Sequence, residues 1–225
     1  MKKNIIIQAS VGLILLFAIL TINTSKAQIN NAERHHIGVS VSFGSKATKI
    51  SSNIAHIHQL NLLQEGGAVG LLWGNKALET KLAVGFYYSA SRVDHTIDLI
   101  NLESSFNFYP LSALTGRKHK FEPYLTAGIS ANNYKFYGFY TASEAVKPNF
   151  SVSEEPYLGS VATYYGSIGT GLEFNLLRQN DFVKIFTEVN YSNPLIQKAA
   201  DPFKNTHFSN QICVSLGVSV GLTCF

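Results

Sequence analysis

The chain has 225 residues, 46% hydrophobic and only 14% charged, with a net charge of +4 and a pI near 9.0. Soluble domains carry about a quarter charged residues, so the balance is shifted towards an apolar medium. The basic residues are scattered, and no Lys/Arg cluster with interleaved aromatics is present, which argues against nucleic acid as a partner.

Met1-Lys2-Lys3 is a basic start, Ile5 to Leu20 is mostly apolar, and Ser25-Lys26-Ala27 offers the small residues that a signal peptidase reads. Residues 1–27 therefore read as a cleaved signal peptide and residues 28–225 as one exported domain starting at Gln28. The apolar run is short for an anchoring helix of about 17 to 25 residues. No cysteine stands near the cleavage site to take a lipid anchor.

Eight segments alternate with a period of two, the mark of a strand with unlike faces. His36 to Gly44 sets Ile37, Val39, Val41 and Phe43 against Gly38, Ser40 and Ser42. Ala68 to Trp73 is short and ends at the turn signal Gly74-Asn75-Lys76. Ala77 to Ser91 sets Leu78, Leu82, Val84, Phe86 and Tyr88 against Glu79, Lys81, Ala83, Gly85 and Tyr87. Ile97 to Tyr109, Glu122 to Tyr137, Tyr164 to Leu176 and Phe182 to Tyr191 follow the same rule. The last segment, Gln211 to Phe225, puts Ile212, Val214, Leu216, Val218, Val220 and Leu222 on one face and small or polar residues on the other. Strands this long exceed the usual five or six residues. An even count of eight is the smallest known for an outer-membrane barrel. The fold class expected is all-β, an eight-stranded antiparallel up-and-down transmembrane β-barrel.

Connections 74–76, 110–120 and 177–181 are the shorter set and are expected on the periplasmic side. Segments 44–67, 138–163 and 192–207 are longer and are expected outside, with 92–96 the exception. An even strand number then leaves both termini in the periplasm. Trp73, Tyr109 and Phe121 stand by the short turns; Tyr87, Tyr88, Tyr134, Tyr137, Tyr164, Tyr165 and Tyr191 stand by the long loops. Among them Trp73, Tyr88, Tyr109, Tyr164 and Tyr191 are read as interfacial aromatics.

With the apolar face against lipid, Glu79, Lys81, Glu103, Glu173, Lys184 and Glu188 point into the barrel. Charges facing lipid cost about 2–4 kcal/mol at the midplane, and inside a narrow barrel they must pair or be hydrated. Eight strands leave an interior just wide enough for side chains to fill, so an ion-pair and hydrogen-bond plug is expected in place of a pore. Glu103 and Glu173 are read as structural and not as a catalytic pair. His35-His36 and His56-Ile57-His58 lack Cys, Asp or Glu partners at metal-ligand spacing. No cofactor is expected. Asp94, His95 and Asp98, with Ser89 or Ser91, are the groups that a barrel-borne enzyme would use. Cys213 and Cys224, eleven residues apart on one extended strand, cannot bridge.

The signal peptide, the eight segments, the strand start Pro123-Tyr124-Leu125-Thr126-Ala127-Gly128-Ile129 and the strand Tyr165 to Glu173 (YGSIGTGLE) resemble the small outer-membrane β-barrel family. That family includes OmpA-like, OmpX-like and PorT-type barrels. The resemblance covers nearly all of residues 28–225. It implies a porin-like barrel of the bacterial cell envelope, in contact with outer-membrane lipid and inserted by the barrel assembly machinery. It implies no single activity. The function expected is non-enzymatic, with outer loops binding a partner or surface ligand as an accessory of a secretion or envelope complex. Two alternatives stand beside it. One is an outer-membrane enzyme acting on lipid or protein; the other is a soluble exported lipid-binding barrel with its greasy face inside. Phe225 is one step out of phase with Val214 to Leu222, so the terminal aromatic needs a bulge near Gly221, an inward turn or fraying.

Overall fold

The computed structural model describes residues 36–52, 59–90, 95–138, 157–176, 183–199 and 202–223. The expected signal peptide, His35, the 56–58 histidines, Ser91, Asp94, Cys224 and Phe225 lie outside the described residues.

The alternating segments become eight strands: β1 (His36–Ser51), β2 (Gln59–Gly74), β3 (Leu78–Ala90), β4 (His95–Phe108), β5 (Phe121–Gly138), β6 (Tyr157–Asn175), β7 (Val183–Ala199) and β8 (His207–Thr223). Each is antiparallel to its neighbours, and β1 pairs with β8 to close the barrel. One short helix, α1 (Pro110–Thr115), joins β4 to β5. Pro110 starts it where no N–H is needed, and Gly116 ends it at φ +68°, a conformation that glycine accepts without strain. The β2–β3 turn is tied by Asn75, whose Oδ1 accepts from the backbone N–H groups of Ala77 and Leu78 at 2.9 Å each.

The register fixes the barrel's dimensions. Starting at Lys46 and following the ladder through Cys213, Asn190, Gly169, Thr126, Asn107, Glu79 and Gly74 returns to β1 at His36, ten residues lower. With ~3.3 Å per residue and ~4.8 Å between strands, a shear of ten over eight strands gives a tilt of about 41° and a climb of about 2.5 Å per residue. Lys46 thus sits about 25 Å above His36, the height of an outer-membrane barrel's apolar band.

Within that height the outer wall is greasy: Val41, Phe43, Leu71, Leu82, Phe86, Leu125, Ile168, Val189 and Leu216 are all exposed. This orientation overturns the inverted, lipid-filled barrel alternative. Above it the outer wall becomes mixed, with polar residues between exposed Leu63, Tyr157 and Leu195, and the interior becomes apolar. Lys49, Gln59, Asn61, Asp98, Ser209 and Asn210 are exposed, while Ile50, Leu62, Ile97, Leu99, Tyr134, Phe136, Val161 and Phe208 pack inside. The register shifts at Thr48/Ile50, Phe136/Tyr137 and Tyr164/Tyr165 all fall in or just below this upper zone, where bulges bend and twist the strands. Phe203, from the β7–β8 connection, stacks on Phe136 at 4.4 Å and caps the cluster.

The long segments expected as loops are corrected by this stalk. Much of 44–67, 157–163 and 192–199 is strand. The polarity switch erases the lipid-facing pattern there, so these stretches read as loop in the sequence.

Candidate functional site: the barrel interior and its loop-end stalk

The inward residues of the lower zone form two charged layers. In the floor layer, Lys184 Nζ lies 3.0 Å from Glu173 Oε1 and 3.6 Å from Glu79 Oε2, with both acids and the lysine fully enclosed. The Tyr109 hydroxyl lies 3.1 Å from Glu79 Oε1 and 2.9 Å from Glu173 Oε2, so its single proton is shared between the two carboxylates. His36 Nε2 lies 2.7 Å from Glu79 Oε2. Lys118 reaches in from the turn after α1; its Nζ is 3.6 Å from the Tyr109 ring centroid and 3.9 Å from Glu173 Oε1. Burial, and then the neighbouring Lys184 charge, push the Lys118 amine below its ordinary pKa. Glu122 closes the floor by accepting from the backbone N–H groups of Ser112 and His119 at 2.9 and 2.8 Å.

In the middle layer, Lys81 Nζ sits 3.1 Å from Glu103 Oε1 and 3.2 Å from Glu188 Oε1. Glu188 also accepts from the Tyr124 hydroxyl at 2.9 Å and Asn190 Nδ2 at 2.6 Å. Tyr124 fits because Gly171 faces it: a Cβ at Gly171 would come within 2.2 Å of the ring. Further up, Lys46 places its ammonium 4.5 Å from the Tyr87 ring centroid. The interior thus sets Glu79, Glu103, Glu173 and Glu188 against Lys46, Lys81, Lys118 and Lys184. Above Lys46, Asn101, Asn132, Gln211 and Tyr134 form a neutral hydrogen-bonded layer beneath the apolar cluster.

All six charged residues singled out from the sequence point inward, but in two groups: Glu79, Glu173 and Lys184 in the floor, Lys81, Glu103 and Glu188 in the middle. Glu103 and Glu173 do not face each other as a pair. Sequence reasoning missed His36, Lys46, Lys118, Tyr109 and Tyr124 as members of this network. For Tyr109 the parity of Glu103, Ser105 and Asn107 carried the signal.

Trp73, Tyr88, Tyr164 and Tyr191 lie on the outer wall. Tyr109 does not: it is 0% exposed, because it continues the inward parity of β4. Tyr87, Tyr134 and Tyr165 are likewise inside and not in the aromatic girdle. Ser89 is buried within the barrel and Asp98 is exposed on its outer surface, so the wall separates them. Cys213 is inward, beside Lys46 in the ladder. Among the described residues no three His, Cys, Asp or Glu side chains gather as a metal site.

A closed eight-stranded up-and-down barrel, apolar outside over about 25 Å and charged within, is a transmembrane β-barrel of the outer-membrane type. Solved outer-membrane barrels share the fold. OprG from Pseudomonas aeruginosa is 11% identical, with 85% of this chain and 98% of that one covered and a TM-score of 0.50. Neisserial surface protein A is 14% identical over 82% of this chain and 96% of its own, at a TM-score of 0.49. Ail of Yersinia pestis, solved with the heparin analogue sucrose octasulfate, is 12% identical over 83% and 99%, at 0.42. No family model matches the sequence, and no curated protein matches it. The likeness to OprG shows the fold alone and carries no ligand across.

Proposed function

We propose that the chain is a non-enzymatic outer-membrane protein that works through the outer surface of its loop-end stalk, where it binds a partner protein or surface ligand as an accessory of an envelope or secretion complex. The observation that carries this reading is the filled interior. Two layers of paired charges, a neutral amide layer and an aromatic cap occupy the barrel axis, which favours recognition on an outer surface over passage through a pore. On this reading the barrel assembly machinery inserts the chain, and both termini and the three short turns face the periplasm. The stalk then stands outside, on the side where a surface partner is met.

Two measurements test it. Single cysteines placed at Asn61 and at Lys76, in a background with both native thiols removed (Cys213→Ser, Cys224→Ser), are labelled on intact cells with a membrane-impermeant maleimide. Asn61→Cys should react and Lys76→Cys should not; the reverse pattern overturns the orientation. Crosslinking from Asn61→Cys, followed by purification in detergent, should recover one stoichiometric partner. Recovery of nothing beyond lipid, together with a measurable hydrolase activity in the pure barrel, would replace this reading with the enzyme alternative.

A further inference from the structure

Between the floor and middle layers lies a small cavity lined by residues of both, among them Glu79, Glu173, Glu188, Lys81, Tyr124 and Asn107. Its free space is about that of a single water molecule. Asn107 projects inward from β4 at the level of Glu79 and Thr126 and is 4% exposed. Its Oδ1 finds no hydrogen-bond partner among the described residues. An unpaired amide oxygen at that depth costs about 1–3 kcal/mol, a penalty that one donor in the cavity removes.

We propose that this cavity binds one water molecule, which donates to Asn107 Oδ1 and joins the two charged layers into a single network. The lining supports that ligand over a metal ion. The carboxylates already face counter-charges or donors, Glu79 and Glu173 with Lys184, and Glu188 with Tyr124, Asn190 and Lys81, and Glu173 Oε1 alone among them has an ion pair but no hydrogen bond. A dehydrated cation would need several free oxygens, whereas a water needs two to four polar partners of either kind. The water turns two stacks of ion pairs into one continuous path of hydrogen bonds from His36 at the lower mouth to Glu103 halfway up. Loss of a charge in one layer is then felt in the other.

The direct test is NMR of the wild-type barrel in lipid nanodiscs. A water of long residence should give a cross-peak to the Asn107 side chain; its absence overturns the proposal. So does a sodium-dependent shift of that signal, which would make the ligand a cation. The second test is a double-mutant cycle between Glu79→Gln and Glu188→Gln, one in each layer. In the wild-type background their shifts in unfolding midpoint should be non-additive. In an Asn107→Leu background, where an apolar side chain of similar size displaces the water, that non-additivity should shrink to the direct charge–charge part. Non-additivity undiminished by Asn107→Leu refutes the bridging role. The NMR measurement stands whether or not that variant folds.

Discussion

Replacing Lys184 by Met is the sharpest test of the interior network. The ammonium faces two carboxylates at 3.0 and 3.6 Å, and all three side chains are at most 4% exposed. At an effective dielectric of about 20, each contact is worth roughly 5 kcal/mol of Coulomb energy, most of it offset by the desolvation of the ions. Removing one partner leaves Glu79 and Glu173 enclosed and bridged by Tyr109, and breaking a buried ion pair in this way costs about 3–5 kcal/mol. Lys118, at 3.9 Å from Glu173, covers part of the loss, which favours the lower end of that range. The assay is urea unfolding of the refolded barrel in lipid vesicles. It is followed by heat-modifiable gel migration and by the fluorescence of Trp73, the sole tryptophan, which sits on the outer wall. Converting both acids as well (Glu79→Gln, Glu173→Gln, Lys184→Met) keeps the acceptors for Tyr109 and should recover most of the stability. A Lys184→Met variant within about 1 kcal/mol of wild type, or a triple variant no better than the single one, would refute the reasoning.

Gly171→Ala drives a methyl group into the Tyr124 ring, which should pull its hydroxyl from Glu188 and cost about 1–3 kcal/mol in the same unfolding assay. Leu216→Arg, near the middle of the apolar band, should cost about 2–4 kcal/mol, whereas Asn61→Arg on the exposed stalk should be nearly neutral; equal effects would misplace the membrane. Phe203→Ala empties the cap over Phe136 and should cost about 3–5 kcal/mol, a loss read from the unfolding midpoint.

The strand count and the direction of the lipid-facing side chains were legible because the bilayer imposes one demand over the whole wall. Val214, Leu216, Val218 and Val220 must all be apolar, and every second residue escapes that demand. The upper third of the barrel was illegible for the same reason. On β1 the outward residues become Ser45, Ala47, Lys49 and Ser51 while Ile50 turns inward, so the period survives and its meaning reverses. A reader who expects grease outside sees a polar loop. Lys118 was hidden differently. It lies in a turn with no period at all, and only the fold of α1 beneath the barrel brings its amine onto Tyr109.

The reversal follows from the solvent on each side of the wall. Inside the lipid band, turning an apolar side chain inward gains nothing, because the acyl chains are as apolar as the core would be. What stabilises that zone is mutual satisfaction of polar groups: Lys184 with Glu173, Lys81 with Glu188, Tyr109 between two acids. Above the band water wets the outer wall, the hydrophobic effect returns, and burial at about 25 cal/mol per Å² favours an interior of Ile97, Leu99, Phe136 and Phe208. The two zones therefore depend on different forces. Variants of the ion-pair layers should leave the heat capacity of unfolding almost unchanged, while variants that shrink the apolar cap should lower it, since apolar exposure dominates that quantity. Calorimetry of Lys184→Met beside Phe203→Ala separates the two, and an equal effect on heat capacity would mean that the cap is not a water-shielded core.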